Sequence, residues 1–554
     1  MARCEEAGQI TSLPVVSPPS LSSGSEEDVE ARQTHQAMGV GAIILMAALV
    51  ADQLRVVFSF GVAHTDEDQT LLWYAGRQLL SGRLREPNFY GQRYNTVFEA
   101  LPGGLLHLAG LPWATAVPLA TAMLATLAWL ALAAGAYARG QPLAALLALA
   151  APVLMRLQYL MLFDAPRGVM AGDLAAAVAI AIALGTKRPH MRLGVLVALG
   201  GLAILWDYAA ALAVIPALVY FLCADWPCHR RHLARSGLLA VAAAVPPAAW
   251  LAYDDSWYAG HRSFLIYPSV DIQPHLSVLL ENLHSLARYL NFFDPALIPL
   301  STVASVILIL ALGGIILFAL RRSALPLLLA TCSLIVVICF ALSLTRASEA
   351  YADLYLSGSR ILLPLPMGMW FLAFGICETT SIDPGSHPAR HRLYVAGLVA
   401  VALVSLLAGQ VTFAAVSARA VSADLKPGAV VTVRNPAVLT AQCTAIARLY
   451  RRTKAQLLAT NDLVQVYGCA AEDGLNTIAP RFERRGWVLE SSGQQPISRI
   501  LAAVPNCKDV ERAAGRCTFE WPGMVLVQTR PRPAAGTLAD IVELRIYYNP
   551  YRER

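Results

Sequence analysis

The chain has 554 residues, of which 56% are hydrophobic and only 14% are charged, and its mean hydropathy is +0.53. A soluble domain carries about 25% charged residues, so this composition excludes an ordinary soluble protein and predicts a polytopic α-helical membrane protein. The formal net charge of +6 does not predict nucleic-acid binding, because the Lys and Arg residues lie largely in short loops between apolar runs and in the C-terminal segment.

Residues 1–37 form a polar leader that carries Ser, Pro and Glu with little periodic hydrophobicity. Such a segment cannot bury enough apolar surface to fold, and we expect a disordered cytoplasmic tail. The leader has no basic region ahead of an apolar one and no small-residue cleavage site, so a cleaved signal peptide is not predicted.

Residues 38–416 alternate apolar runs with polar connections, which predicts a transmembrane domain of about eleven helices, since each crossing needs roughly 17 to 25 residues. The runs lie near 38–60, 113–137, 141–158, 168–185, 193–206, 208–223, 236–252, 298–319, 324–344, 361–377 and 393–416. The fifth and sixth runs are short, and Asp207 alone separates them.

Every second loop between these apolar runs carries Lys or Arg residues, which is typical of loops on the cytoplasmic side. They carry Arg139, then Lys187, Arg188 and Arg192, then Arg230, Arg231 and Arg235, then Arg321 and Arg322, then Arg390 and Arg392. This pattern predicts a cytoplasmic N-terminus and places the loops 61–112 and 253–297 outside. The expected location is a bacterial inner or plasma membrane.

The stretch from His64 to Glu99, HTDEDQTLLWYAGRQLLSGRLREPNFYGQRYNTVFE, gathers acids, Tyr, Gln and Arg beside the predicted membrane surface. Apolar residues recur in it at helical spacing, which predicts a short amphipathic helix along the interface. Asp66, Glu67 and Asp68 precede that helix. A half-buried carboxylate such as Asp66 can act as a general base. Three consecutive acids also suit a divalent cation; the alternative for Glu67 and Asp68 is simple solvent exposure.

A second group of polar residues lies just ahead of the apolar stretch 100–111. It consists of Tyr90, Gln92, Tyr94 and Glu99. Paired donors and acceptors beside an aromatic face suit sugar hydroxyls, and we interpret these residues as substrate-binding. The alternative is an aromatic belt at the membrane interface, where Tyr is common.

Ionisable residues inside or beside apolar runs are costly unless they are paired or hydrated, and they usually face a polar cavity. Asp52 and Arg55 are three positions apart and share one helix face, which predicts a structural ion pair. Asp207 and Arg360 lie at outer ends of predicted helices. The guanidinium of Arg360 could bind a lipid phosphate through its fork of donors, and the alternative is snorkelling to the interface.

Residues 417–554 change in composition, because short apolar stretches now alternate with polar turns. We predict a small extracytoplasmic α/β or α+β domain. It holds Cys443, Cys469, Cys507 and Cys517, an even number that suggests two disulfides in an oxidising compartment. The local pair Cys507 with Cys517 is the easiest of the alternatives to form.

The order of these features resembles the integral-membrane glycosyltransferases of the GT-C class, particularly bacterial proteins similar to family 39 and to the aminoarabinose and protein O-mannosyl transferases. There an Asp-Glu pair precedes a juxtamembrane helix, and a Gly-Gln-x-Tyr stretch followed by Glu leads to the second span. The matching residues here are Asp66 and Glu67, then Gly91, Gln92, Tyr94 and Glu99. The stretches GLAILWDYAAALAVIPAL and SGSRILLPLP are also similar, and they contain Asp207 and Arg360.

The resemblance covers the chain to about residue 416 and implies sugar transfer from a polyprenyl-phosphate donor to a glycan, lipid or protein acceptor on the outer side. It implies that Asp66 aligns or deprotonates the acceptor hydroxyl, with inversion, and that Glu67 supports it. Arg360 would stabilise the departing phosphate, which makes a metal optional. The alternative is a transporter or flippase without chemistry, which predicts inverted repeats and charges near the bilayer midplane.

Overall fold

The computed structural model describes residues 26–58, 67–84, 87–88, 95–155, 168–260, 274–284, 301–344, 362–380 and 391–408, and four short strands between 456 and 529. The first half of the described chain forms the helices α1 (Glu26–Val56), α2 (Glu67–Leu80), α3 (Ala100–Leu108), α4 (Trp113–Ala138), α5 (Pro142–Ala150), α6 (Met170–Gly185) and α7 (Pro189–Trp206). One π-helical turn, Leu196–Gly200, lies within α7.

The second half continues with α8 (Ala211–Ala224), α9 (Trp226–Arg231), α10 (Leu233–Gly260), α11 (Leu276–His284), α12 (Ser301–Arg321), α13 (Leu325–Leu344), α14 (Leu365–Thr380) and α15 (His391–Ala408). The strands are β1 (Gln456–Leu457), β2 (Arg499–Ala502), β3 (Gly515–Trp521) and β4 (Met524–Thr529). They form one sheet in the order β1-β2-β4-β3, in which only the β1–β2 pair is parallel.

Six of the described helices are long and apolar enough to cross a membrane, namely α1, α4, α7, α10, α13 and α15. Three shorter apolar helices, Met170–Gly185, Tyr208–Ala224 and Val306–Arg321, accompany them. The chain is therefore an integral membrane protein, as its composition predicts. The count of eleven spans, the orientation in the membrane and the extent of a C-terminal domain stay predictions.

The predicted interruption at Asp207 is a true break between two helices. Asp207 has an extended backbone, with φ −148° and ψ 111°, and its Oδ1 accepts a hydrogen bond from the backbone N–H of Ala209 at 3.1 Å. This bond starts a 3₁₀ turn, Tyr208–Ala210, that leads into α8. A short side chain that caps its own turn competes with helix continuation, so the chain reverses here.

Two helix boundaries differ from those expected from hydrophobicity. The apolar run 141–158 predicts one span, but α5 ends at Ala150 and a 3₁₀ turn, Pro152–Leu154, follows. Pro152 has no N–H with which to continue the α-helical ladder. In the other direction, α10 extends to Gly260, beyond the predicted boundary at 252.

The helices pack through small residues. α4 runs along α6, and α8 runs along both α13 and α14. Gly135 of α4 lies so close to α6 that a Cβ atom there would be 2.6 Å from the Cα atom of Ala181, and a Cβ atom on Gly368 would overlap the carbonyl oxygen of Leu212. Small residues let helix backbones approach closely, which supplies van der Waals packing where lipid removes the hydrophobic driving force.

One end of this bundle is closed by an ion-pair network. Arg139 at the end of α4 donates to Oε1 of Glu378 in α14, from Nη2 at 2.7 Å and from Nε at 2.9 Å. The hydroxyl of Tyr220 in α8 donates to the other oxygen of Glu378 at 2.7 Å. The network joins three helices through one carboxylate whose two oxygens are both hydrogen-bonded.

Replacing Gly368 by Ala should destabilise the protein, because the new methyl group would force α14 away from Leu212 of α8. Overpacking of this kind costs about 1–3 kcal/mol. The matched control is Gly313→Ala in α12, where no described atom lies within 4 Å of the new Cβ atom. Thermal unfolding of the two detergent-solubilised variants measures the difference. If the Gly368→Ala variant is as stable as the control variant, the close contact between α8 and α14 does not contribute to the stability of the fold.

Candidate active site

Three buried carboxylates lie at the same end of the helix bundle. Glu99 directly precedes α3, Asp173 lies in the first turn of α6, and Asp207 lies at the break between α7 and α8. Their exposed fractions are 0%, 0% and 6%. Asp173 interacts electrostatically with both of the others. We call Glu99, Asp173 and Asp207 the acid cluster, and it joins three segments that are far apart in sequence.

Glu99 is held by the protein through both of its carboxylate oxygens. The hydroxyl of Thr121 in α4 donates to Oε1 at 2.6 Å, and the backbone N–H of Met170 donates to Oε2 at 3.3 Å. Met170 is the first residue of α6, so Glu99 satisfies one of the N–H groups that a helix start leaves open, and its negative charge suits that end of the helix. These contacts give Glu99 a positioning role between α3, α4 and α6; its predicted contact with substrate stays a prediction.

Asp173 differs from Glu99, because neither of its carboxylate oxygens has a hydrogen-bond partner within the described part of the chain. Its neighbour Gly172 brings it to Asp207: a Cβ atom on Gly172 would lie 2.6 Å from Cβ and 3.0 Å from the backbone nitrogen of Asp207. Only glycine permits that approach. Burying a carboxylate without a partner is expensive, so an acid in this place points to a function that needs it.

The sequence predicted Glu99 and Asp207 as site residues but not Asp173. The signal that identifies it is the single acid in the otherwise apolar run of α6, MAGDLAAAVAIAIALG. An ionisable residue inside a membrane helix is a functional candidate by default. The structure adds that it lies beside two predicted site residues.

An aromatic wall flanks the acid cluster. The Phe98 ring lies with its centroid 5.2 Å from that of Trp206 and 5.5 Å from that of Trp250, and the Trp250 ring lies 5.9 Å from that of Tyr253. Phe98 and Trp206 are the chain neighbours of Glu99 and Asp207. We call Phe98, Trp206, Trp250 and Tyr253 the aromatic wall. Aromatic faces beside carboxylates suit a ligand with both apolar C–H surface and hydroxyl donors.

A buried hydrogen bond joins Asn88, between α2 and α3, to the far end of α10. Nδ2 of Asn88 donates to Oδ1 of Asp254 at 2.6 Å, across 166 positions of sequence. Asn88 also forms an antiparallel bridge with Thr96, whose N–H donates to the carbonyl oxygen of Gly168 at 3.2 Å. The segment that leads to Glu99 is therefore fixed against both α10 and the start of α6.

Several predicted site residues lie outside the described residues or have no described side chain. Asp66, Tyr90, Gln92, Tyr94 and Arg360 belong to the first group, and Glu67 and Asp68 to the second. The predicted helix is present, but it begins at Glu67, so that Glu67 and Asp68 form its first two residues and do not precede it. Leu72, Trp73 and Ala75 of α2 are buried. The role of each of these seven predicted residues stays a prediction.

No three His, Cys, Asp or Glu side chains among those that the structure describes are grouped to hold a metal ion. A divalent cation at Asp66, Glu67 and Asp68 stays a prediction, since it concerns side chains outside that part. The predicted ion pair of Arg55 with Asp52 is confirmed: Nη2 of Arg55 contacts Oδ1 of Asp52 inside α1. It is a structural contact within one helix.

These features define a polytopic helical membrane protein with a polar site at one end of its bundle. No family model and no curated protein matches the chain. Among solved structures, the chain is similar to ArnT from Cupriavidus metallidurans bound to undecaprenyl phosphate, with 15% identity, a TM-score of 0.49, and coverage of 87% of this chain and 98% of that chain. The apo state of the same protein matches with 14% identity, a TM-score of 0.47, and coverage of 89% and 100%.

Both TM-scores lie below 0.5 and both identities below 25%. The likeness therefore assigns no chemistry and no site residue to this chain.

Replacing Thr121 by Val should destabilise the protein, because it removes the hydroxyl that donates to buried Glu99. A hydrogen bond to a charged group contributes about 1.5–3 kcal/mol. The matched control in the same helix is Thr126→Val, where the lost bond at 2.8 Å goes to the backbone carbonyl oxygen of Ala122. Chemical or thermal unfolding in detergent measures both. Equal stability of the two variants would remove the positioning role assigned to Glu99.

Proposed function

We propose that the chain is a membrane glycosyltransferase that moves a sugar from a polyprenyl-phosphate donor to an acceptor at the end of the bundle where the acid cluster lies. The observation that carries the proposal is that buried Asp173 lies within electrostatic reach of buried Glu99 and Asp207, whose chain neighbours Phe98 and Trp206 belong to the aromatic wall. A purely structural bundle gains nothing from a fully buried carboxylate that the described residues leave without a hydrogen bond.

The sequence resemblance supplies the reaction. Asp66 takes the proton of an acceptor hydroxyl, and the acceptor oxygen attacks the anomeric carbon of the donor. The bond between that carbon and the phosphate oxygen breaks, the polyprenyl phosphate leaves with the bonding electrons, and the configuration inverts. Glu67 supports Asp66 or holds the acceptor, and Arg360 neutralises the departing phosphate.

The residues of the acid cluster have two different roles, one structural and one in binding the sugar. Glu99 accepts hydrogen bonds from the Thr121 hydroxyl and the Met170 N–H, and these bonds hold the start of α3 against the start of α6. Asp173 and Asp207 are the acids that contact sugar hydroxyls, because a carboxyl group offers hydrogen-bonding oxygens to them. The aromatic wall covers the apolar face of the sugar ring. The predicted loop residues Tyr90, Gln92 and Tyr94 complete the contacts from the external side.

Replacing Asp66 by Asn should abolish most sugar transfer, since removal of a general base costs about 10²- to 10⁴-fold in rate. The assay uses the purified protein in lipid with a panel of polyprenyl-phosphate sugars, and undecaprenyl phosphate, the ligand of the ArnT neighbour, serves as the first carrier. The matched control is Asp255→Asn, an exposed acid of α10.

A fully active Asp66→Asn variant would remove Asp66 as the base. If the wild type neither binds nor turns over any donor in a broad panel, the enzyme proposal fails. Movement of a lipid-linked substrate across the bilayer without transfer would then favour the transporter or flippase alternative.

Replacing Asp173 by Asn should leave the fold intact and weaken use of the donor. The substitution keeps the size of the side chain and relieves repulsion by Asp207 and Glu99, so we expect unfolding at the same or a higher temperature. Transfer should fall by up to about 10-fold, mainly through a higher KM, because the loss of one hydrogen bond costs about 0.5–1.5 kcal/mol. A stable variant with unchanged kinetics would exclude Asp173 from the sugar site.

A further inference from the structure

At the end of the bundle opposite the acid cluster, two connections bring arginine and histidine side chains together. Arg188 and His190 lie at the start of α7, and His232 and Arg235 lie at the start of α10. His190 interacts electrostatically with the other three, and α7 packs along α10. We call these four residues the basic patch. Arg192 and Asp207 are separated by about 22 Å along α7 at 1.5 Å per residue, so the patch is remote from the proposed sugar site.

The acids near the basic patch are already neutralised by other cations. Residues 186–236 contain only two acids, Asp207 at the opposite end and Asp225. Asp225 is buried, and Nη1 of Arg192 donates to its two oxygens at 3.1 and 2.8 Å. Glu378, which also acts on Asp225 electrostatically, is paired with Arg139. Within the described part of the chain, every group that acts electrostatically on His190 is an arginine or a histidine.

The exposed arginines give the region around the basic patch its positive charge. Burial raises the pKa of Asp225, and Arg192 opposes that rise. Burial also lowers the pKa of His229, whose Nδ1 lies 3.1 Å from the hydroxyl oxygen of Ser236. His229 thus tends to the neutral form, and the arginines carry the charge. Arg188, Arg235 and the adjacent Arg230 and Arg231 are all exposed.

Large apolar side chains are exposed next to these arginines. Trp226 is 51% exposed, Leu233 65% and Leu238 72%. Trp and Leu beside Arg on one surface are typical of the membrane–water interface, where the ring lies at headgroup depth and the alkyl groups reach the acyl chains. A small water-soluble anion would contact the arginines but not the exposed Trp and Leu side chains.

We propose that the basic patch is a binding site for the phosphate headgroup of an anionic phospholipid in the leaflet at this end of the bundle. Arg188 and Arg235 bind the phosphate oxygens, since a guanidinium offers two parallel donors to a phosphate. Trp226 and Leu233 lie against the glycerol and the upper acyl chains. The lipid would join the α6–α7 connection to the start of α10, a function separate from sugar transfer.

The test measures lipid binding by the full-length protein in detergent, by native mass spectrometry and by thermal shift, with phosphatidylglycerol against phosphatidylcholine. We expect the wild type to prefer phosphatidylglycerol. The variant Arg188→Gln/Arg235→Gln should bind it roughly 10- to 30-fold more weakly, because each arginine near an anionic surface contributes on the order of fivefold. The matched control is Arg321→Gln/Arg322→Gln, which removes two exposed arginines from another connection.

Three results would overturn the proposal: equal affinity for the two lipids, equal weakening by the control variant, or competition by inorganic phosphate at the affinity of the lipid. The last result would assign the patch to a free anion. Thermal unfolding without added lipid shows whether both double variants are folded, and Arg188→Lys/Arg235→Lys retains the charge if the Gln variant does not fold. None of these readouts depends on sugar transfer, so the outcome is independent of the proposed enzyme activity.

Discussion

The cost of burying carboxylates inside an apolar helix bundle governs the arrangement of this protein. Glu99 meets that cost with two donors, the Thr121 hydroxyl and the first N–H of α6. Because those donors belong to α4 and α6, the carboxylate fixes three segments against one another. Asp173 lies within electrostatic reach of Glu99 and Asp207, and no described donor contacts it. The contrast separates an acid that holds the fold from one that is available to a ligand.

The two ends of the bundle differ in sign. One end carries the acid cluster and the aromatic wall, and the other carries the Arg139–Glu378 and Arg192–Asp225 pairs with the basic patch beside them. Antiparallel helices produce this division, because α7 and α8 share the junction that holds Asp207 and each has a basic connection at its opposite terminus. The proposed sugar site and the proposed lipid-headgroup site therefore lie at opposite ends of one bundle.

Close helix contacts make this division rigid. Gly172 brings the Asp207 junction onto α6, and Gly368 brings α14 onto α8. In lipid, where helices gain little from hydrophobic burial against each other, such contacts and the few buried polar bonds decide how the helices pack. The Asn88–Asp254 bond is another such polar contact, and it joins the connection between α2 and α3 to the end of α10.

The sequence by itself determined the membrane class, the helix that follows Asp66, the Asp52–Arg55 pair and the break at Asp207. Each depends on local information: composition, helical periodicity, spacing by three positions, or one acid between two apolar runs. The tertiary structure alone decided that Asp173 belongs with Glu99 and Asp207, that both oxygens of Glu99 are bonded within the protein, and that Asn88 pairs with Asp254. These contacts join residues far apart in the chain, and no local pattern encodes which helices become neighbours. The tertiary structure also differs from the predicted ends of two helices. The 3₁₀ turn that begins at Pro152 follows α5 within the apolar run 141–158, and α10 continues beyond residue 252 to Gly260.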